Sequence, residues 1–161
     1  MLFCMIQPVF TFDNLLQRLQ LGKDATPFVI WHEKDLFGTH DNPVKIDLPC
    51  LFLCLDGEML LDINLQPYCF NREHLLCFTT PCACRIVSRS PGFRCVGLLL
   101  SKAFWRQLVH IERTLGKIAI RNAFIALNED EHERLSRFYD LLCLCADASG
   151  LKDSSGTLYP L

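Results

Sequence analysis

The sequence predicts a mainly β fold that ends in α-helix: a β-barrel or sandwich over residues 28–100, then two helices. Three observations predict it. Between Phe28 and Leu100, short apolar and β-branched runs alternate with turn residues at Asn42-Pro43, Asp56-Gly57, Gln66-Pro67, Thr80-Pro81 and Ser90-Pro91-Gly92. Many short strands at close spacing build barrels and sandwiches. After Ser101 the apolar period changes from that of a strand to that of a helix. The last helical stretch is apolar around well over half its girth, more than one contact face needs.

Taken in order, residues 1–27 read as an N-terminal arm. FDNLLQRLQLG within it carries Asp13 as N-cap and Gly22 as stop for a short helix, while VFTF just before reads equally as a strand. FVIWHEK opens the strand-rich region. PVKIDLPCLFLCL follows, and Asp56-Gly57 signals a hairpin into EMLLDINL. There Leu61, Ile63 and Leu65 share one face, Asp62 and Asn64 the other. Gln66-Pro67 turns the chain, YCF resumes, NREH turns it again, and LLCFT runs to Thr80-Pro81. CACRIVSR and FRCVGLLLS complete the set. Pro49 and Pro67 belong at strand ends, edges or bulges, because proline has no N–H for the ladder.

Ser101 as N-cap and Gly116 at C′ bound the first C-terminal helix, with Phe104, Leu108, Ile111 and Leu115 on one face. Asn128 with Glu131 approximates a capping box for the second, which runs to Ala148. Leu135, Phe138, Leu142 and Cys145 form one stripe on it; Leu141, Leu144 and Ala148 form another. An arc this wide asks for a second cover. The cover is a neighbouring helix or, as preferred, a second copy of the chain, giving a homodimer whose interface holds Leu135, Phe138, Leu141, Leu142 and Cys145; the plainer alternative docks the helix on the barrel and leaves Leu141 and Leu144 as surface residues. The Ser/Gly-rich residues 149–161 read as the start of a linker.

With 161 residues, half of them apolar, and a net charge of −2, the chain suggests one domain with a substantial core. The near-neutral balance argues against holding DNA or an anionic membrane by charge. No apolar run approaches the ~18 residues of a membrane span. MLFCMIQPVF lacks the basic start of a secretory signal. The ten cysteines include no Cys-x-x-Cys pair and sit largely inside apolar runs, as Cys50, Cys54, Cys77, Cys143 and Cys145 do. They read as small hydrophobes of a reduced, cytoplasmic protein.

In their order, the apolar strand into LDGE, then INLQPY, LLCFTTP and the strand-to-helix entry GLLLSKAFWRQL resemble the N-terminal sensor domain of AraC-type transcriptional regulators, over roughly residues 28–148. The resemblance implies a cupin-like, jelly-roll-like double-stranded β-barrel followed by a helical dimerisation segment, residues 101–148. It implies a small-molecule effector, with carbohydrate as the family's suggestion, and an arm that can close over it, giving residues 5–12 a role. It implies contact with DNA only through a C-terminal domain of two helix-turn-helix motifs, absent from these 161 residues. No cofactor, membrane or catalytic role is expected.

The alternative is a metal-dependent cupin enzyme, an isomerase or dioxygenase. Metal cupins use two closely spaced histidines, a glutamate and a later histidine. His32, His40, His74, His110 and His132 contain no His-x-His pair, so no metal ligand is assigned. Asp13, Glu33, Asp35 and Glu58 make no motif-placed carboxylate pair. Ser101 lacks a Gly-x-Ser-x-Gly elbow, and there is no Gly-rich phosphate loop. A pocket in the barrel is then the functional element, with Trp31, His40 and Arg85 as its ligand-binding residues. Facing inward, Arg85 would want a carboxylate, phosphate or polyol; facing outward, the preferred placement, it is a surface charge. A core filled by Leu, Phe and Cys is the plainer alternative to any pocket.

Overall fold

A computed structural model describes residues 9–20, 27–32, 42–111, 124–148 and 158–160. Along these run β1 (Val9–Thr11), α1 (Phe12–Arg18), β2 (Phe28–His32), β3 (Val44–Asp47), β4 (Cys50–Asp56), β5 (Met59–Ile63), β6 (Gln66–Phe70) and β7 (His74–Phe78). There follow β8 (Cys82–Arg89), β9 (Arg94–Leu100), α2 (Lys102–Ile111), β10 (Phe124–Ala126), α3 (Glu129–Ala148) and β11 (Leu158–Pro160). The mainly β class with a C-terminal helix is as expected.

The strands form a five-stranded sheet, β1-β3-β8-β5-β6, and a six-stranded sheet, β10-β7-β4-β9-β2-β11. Among the described residues no strand joins both sheets, so the expected closed barrel is instead two open sheets packed face to face. Strand alternation sends Val44, Ile46, Leu61, Ile63 and Phe70 inward from the first sheet. Val29, Cys50, Phe52, Leu76, Phe78 and Leu99 meet them from the second. Gly97 on β9 allows the close packing of this layer: a Cβ there would lie 2.5 Å from the Phe52 ring. Buried side chains of both sheets form one cluster between them.

The described residues 9–20 of the predicted arm join this core. β1 pairs in parallel with β3, and Leu15 and Leu16 of α1 are buried in the same cluster. Full burial of a leucine contributes about 1.5–3 kcal/mol, so α1 is held firmly. Its N-cap is Thr11 rather than Asp13: Thr11 Oγ1 accepts from Asn14 N–H at 3.2 Å. Asp13 lies inside the first turn. The helix ends as Gln20 takes a left-handed φ of 56°, ahead of the predicted stop at Gly22, which lies outside the described residues.

Two turns differ from expectation. Asp56-Gly57 does not close a hairpin, because β4 and β5 belong to different sheets. It is a corner between layers. Gly57 has a φ of +74°, and a Cβ on it would lie 2.5 Å from Ser90 Oγ. Ser90 ties this corner to the β8–β9 corner, donating its N–H to Glu58 O (2.9 Å) and accepting from Glu58 N–H on its hydroxyl (2.9 Å). The hairpin lies one step later. Asn64 and Leu65, with φ of 50° and 67°, make a two-residue turn, and Gln66 and Pro67 are paired residues of β6. As an edge strand, β6 tolerates Pro67.

The outer face of the six-stranded sheet is covered by α3. Asn128 and Glu131 form the predicted capping box: Asn128 Oδ1 accepts from Glu131 N–H at 2.9 Å, and Glu131 Oε2 accepts from Asn128 N–H at 2.8 Å. Tyr139 packs with Ile30, Leu53 and Val96, flanked by Leu135, Leu142 and Cys143. Two hydrogen bonds to β4 fix the helix: His132 Nε2 to Cys54 O at 2.7 Å and Tyr139 OH to Leu51 O at 3.0 Å. Two short strands were not anticipated. β10 extends the sheet beside β7, and β11, within the predicted linker, pairs with β2.

Candidate functional site

A concave surface forms where β9 hands over to α2. Ser101 caps the helix, its Oγ accepting from Phe104 N–H at 3.1 Å and its carbonyl from Trp105 N–H at 2.9 Å. Capped there, α2 turns Lys102, Trp105 and Arg106 toward the end of β3 and the β7–β8 turn. Positions i, i+3 and i+4 share a helical face. Lys102 Nζ lies 2.7 Å from Asp47 Oδ1. That oxygen is buried, and the Lys102 ammonium is its partner.

Two clefts share Asp47 and Lys102. One, of about 150 Å³, adds Leu48, Pro49, Thr79, Thr80, Pro81, Trp105 and Arg106. The other, of about 330 Å³, adds Thr11, Phe12, Asp13 and Ser101. Together they offer two cations, a carboxylate already paired with one of them, an aromatic wall and threonine hydroxyls. This can bind a small polar anion, but it has no activated nucleophile. Nor do the buried thiols supply one. Burial pushes Cys54, Cys77 and Cys82 up to about 11 and Cys84 up to about 12. Such thiols stay protonated and inert at neutral pH. Among the described residues no three His, Cys, Asp or Glu side chains converge on a metal-ion site.

No family model matches this chain. No curated protein matches it in sequence. The site therefore has to be read from its own residues.

The structure does not assemble the predicted ligand set. Trp31 is on the inner side of β2, partly buried against the main core. Arg85 is on the outer face of β8, since Cys82 and Cys84 take the inward positions. There its guanidinium pairs with Asp62 of β5. The preferred outward placement of Arg85 holds, and Trp31 and Arg85 do not meet. His40 lies outside the described residues. The predicted helical seam is divided as well. Leu135 and Leu142 spend their apolar surface on the sheet. Phe138, Leu141 and Leu144 are 50%, 60% and 63% exposed, with Cys145 exposed beside them. The actual docking stripe is His132, Leu135, Tyr139 and Leu142, rotated from the predicted one because polar-tipped His and Tyr side chains bury well when their tips find carbonyls.

Sequence reasoning passed over Asp47, Lys102, Trp105 and Arg106. The available signal was SKAFWR, which sets two cations and an indole on the first turns of a capped helix. Asp47 gave none, because its partner is 55 residues away (102 − 47).

Proposed function

We propose that this chain is the regulatory module of an AraC-type transcription factor, a cupin-like domain that senses a small molecule and dimerises. The observation that carries the reading is the outward stripe of α3. With one face docked, the helix still presents Phe138, Leu141 and Leu144 at half exposure or more. A stripe on a single straight helix suits self-association, because a twofold axis across it matches the stripe to itself. The strand order supports the cupin-like part. Apart from the β5–β6 hairpin, each step from β2 to β9 passes to the opposite sheet, giving β7-β4-β9-β2 over β3-β8-β5-β6. A jelly roll has that interleaving.

In this reading the protein is cytoplasmic, needs no cofactor and contacts DNA through a helix-turn-helix domain outside these 161 residues. An effector that prefers one arrangement of sheets and helices would shift the spacing of two such domains by its differential affinity. Sedimentation velocity at tens of micromolar tests it. A dimer is expected, converted to monomer by Phe138→Asp with Leu141→Asp; both sites are exposed, so each subunit stays folded. A wild-type chain that sediments as a monomer at these concentrations would remove the reading.

A further inference from the structure

We propose that Cys54 and Cys95 are a redox pair, two thiols on neighbouring strands that close into a disulfide when hydrogen peroxide reaches Cys95. This stands on the pairing of β4 with β9 and is independent of the regulatory reading. Among the described strands, Cys54 and Cys95 are the only two cysteines that face each other as ladder partners. One hydrogen bond fixes the kind of pair they make. Leu100 donates its N–H to Pro49 O at 2.9 Å, so the adjacent pair Cys50–Leu99 is of the non-hydrogen-bonded kind. The kind repeats at every second residue, so Phe52–Gly97 and Cys54–Cys95 share it, ahead of the register shift that follows Cys54. Partners of this kind hold their Cα atoms about 4.5 Å apart, inside the roughly 4.4–6.8 Å that a disulfide spans. The middle pair shows how near side chains come there: the Phe52 ring lies 2.5 Å from the place of a Cβ on Gly97. Both thiols face inward, since Cys54 belongs to the core cluster and Cys95 packs against it. They differ in access. Cys54 is fully buried, whereas Cys95 keeps part of its surface in solvent.

The Cys95 sulfur, its proton passed to water, attacks one peroxide oxygen; the O–O bond breaks and a sulfenic acid and one water result. The Cys54 thiol, too buried to meet peroxide itself, attacks that sulfur as its own proton leaves. The S–S bond forms, the S–O bond breaks and a second water is released. Two thiols are oxidised and one peroxide is reduced. The change reaches beyond the pair. Cys54 Sγ lies 3.4 Å from both Asp56 O and Gly57 O, so the bridge takes its proton away from the corner between the sheets. It also ties β4 to β9 at the residue whose carbonyl holds His132 of α3. The test treats the reduced whole chain with hydrogen peroxide at mildly alkaline pH, where thiolate is more abundant. Remaining thiols are then blocked in denaturant and the peptides mapped by mass spectrometry. A Cys54–Cys95 disulfide is expected as the main intramolecular bridge, with both thiols recovered after dithiothreitol. Cys95→Ser, a change of one atom, is expected to abolish it and leave Cys54 unoxidised. Cys69→Ser and Cys145→Ser, at exposed positions, are expected to leave it in place. If both thiols stay open to alkylation after peroxide, if Cys54 oxidises as readily in Cys95→Ser, or if either thiol bridges other cysteines to an equal extent, the pair is overturned.

Discussion

Leu65 has a φ of 67° and a side chain 86% exposed. It occupies the second central position of a two-residue turn, where a β-carbon is crowded by the backbone. Its neighbour Asn64 has a φ of 50° but is compensated: its side-chain oxygen accepts from Ala83 N–H at 3.0 Å and its N–H donates to Ala83 O at 2.8 Å. Leu65→Gly relieves about 1–2 kcal/mol of left-handed strain and returns about 0.5–1 kcal/mol through the freer unfolded chain. A net gain of about 0.5–1 kcal/mol is expected in urea unfolding, and a loss would show that Leu65 packs on something. The sequence hid this turn. Pro67 two residues later is the stronger local signal, and only pairing with β5 shows that it lies within a strand. Gly57 was legible as a turn residue, because a φ of +74° calls for glycine wherever the chain goes next.

The attachment of α3 is decided at the scale of the element. Its start was legible, since a capping box is written in four consecutive residues. Its orientation was not. Counting only apolar residues favours Phe138 as the buried position; the fold buries Tyr139 at 4% exposure and leaves Phe138 half out. Two carbonyls on β4 make the difference. Tyr139→Phe keeps the ring and removes one hydrogen bond, so it is expected to cost about 0.5–1.5 kcal/mol. His132→Ala removes both a bond and a buried ring, and about 2–3 kcal/mol is expected. Thermal unfolding of the two variants checks the order; equal or negligible losses would mean the helix is held elsewhere. The same rotation divided the predicted seam, sending Leu135 and Leu142 to the sheet.

For the whole molecule, the cysteine-rich composition has a measurable result. Thiols with an ordinary pKa of 9.0 are raised by burial at Cys54, Cys77, Cys82 and Cys84 to about 11–12. Burial likewise raises the Tyr139 phenol well above its usual value. Above pH 9 the unfolded chain releases thiol protons that the folded chain retains, so stability falls as pH rises. The contribution is complete below about pH 9 and is lost progressively through the folded pKa range of about 11–12. Urea midpoints under reducing conditions should agree between about pH 7 and pH 8 and drop by about pH 10. An unchanged midpoint at the highest pH would mean these thiols reach solvent in the folded state. Their burial was readable from the apolar runs around them.

By itself the sequence determined local features: the strands between Phe28 and Leu100, where two helices are capped, that the cysteines inside the strand runs are packing groups and that α3 carries more apolar surface than one face needs. Each rests on residues close together in the chain, where periodicity, turn chemistry and capping act. Tertiary structure decided what depends on residues far apart: two open sheets in place of a closed barrel, Asp56-Gly57 as a corner instead of a hairpin, α1 in the core, the side of α3 that docks, and the meeting of Asp47 with Lys102 and Arg106. These follow from which strand lies beside which. A strand's own pattern gives its faces but does not name its neighbours, so a cleft made where β3, α2 and the β7–β8 turn converge exists only once the sheets have formed.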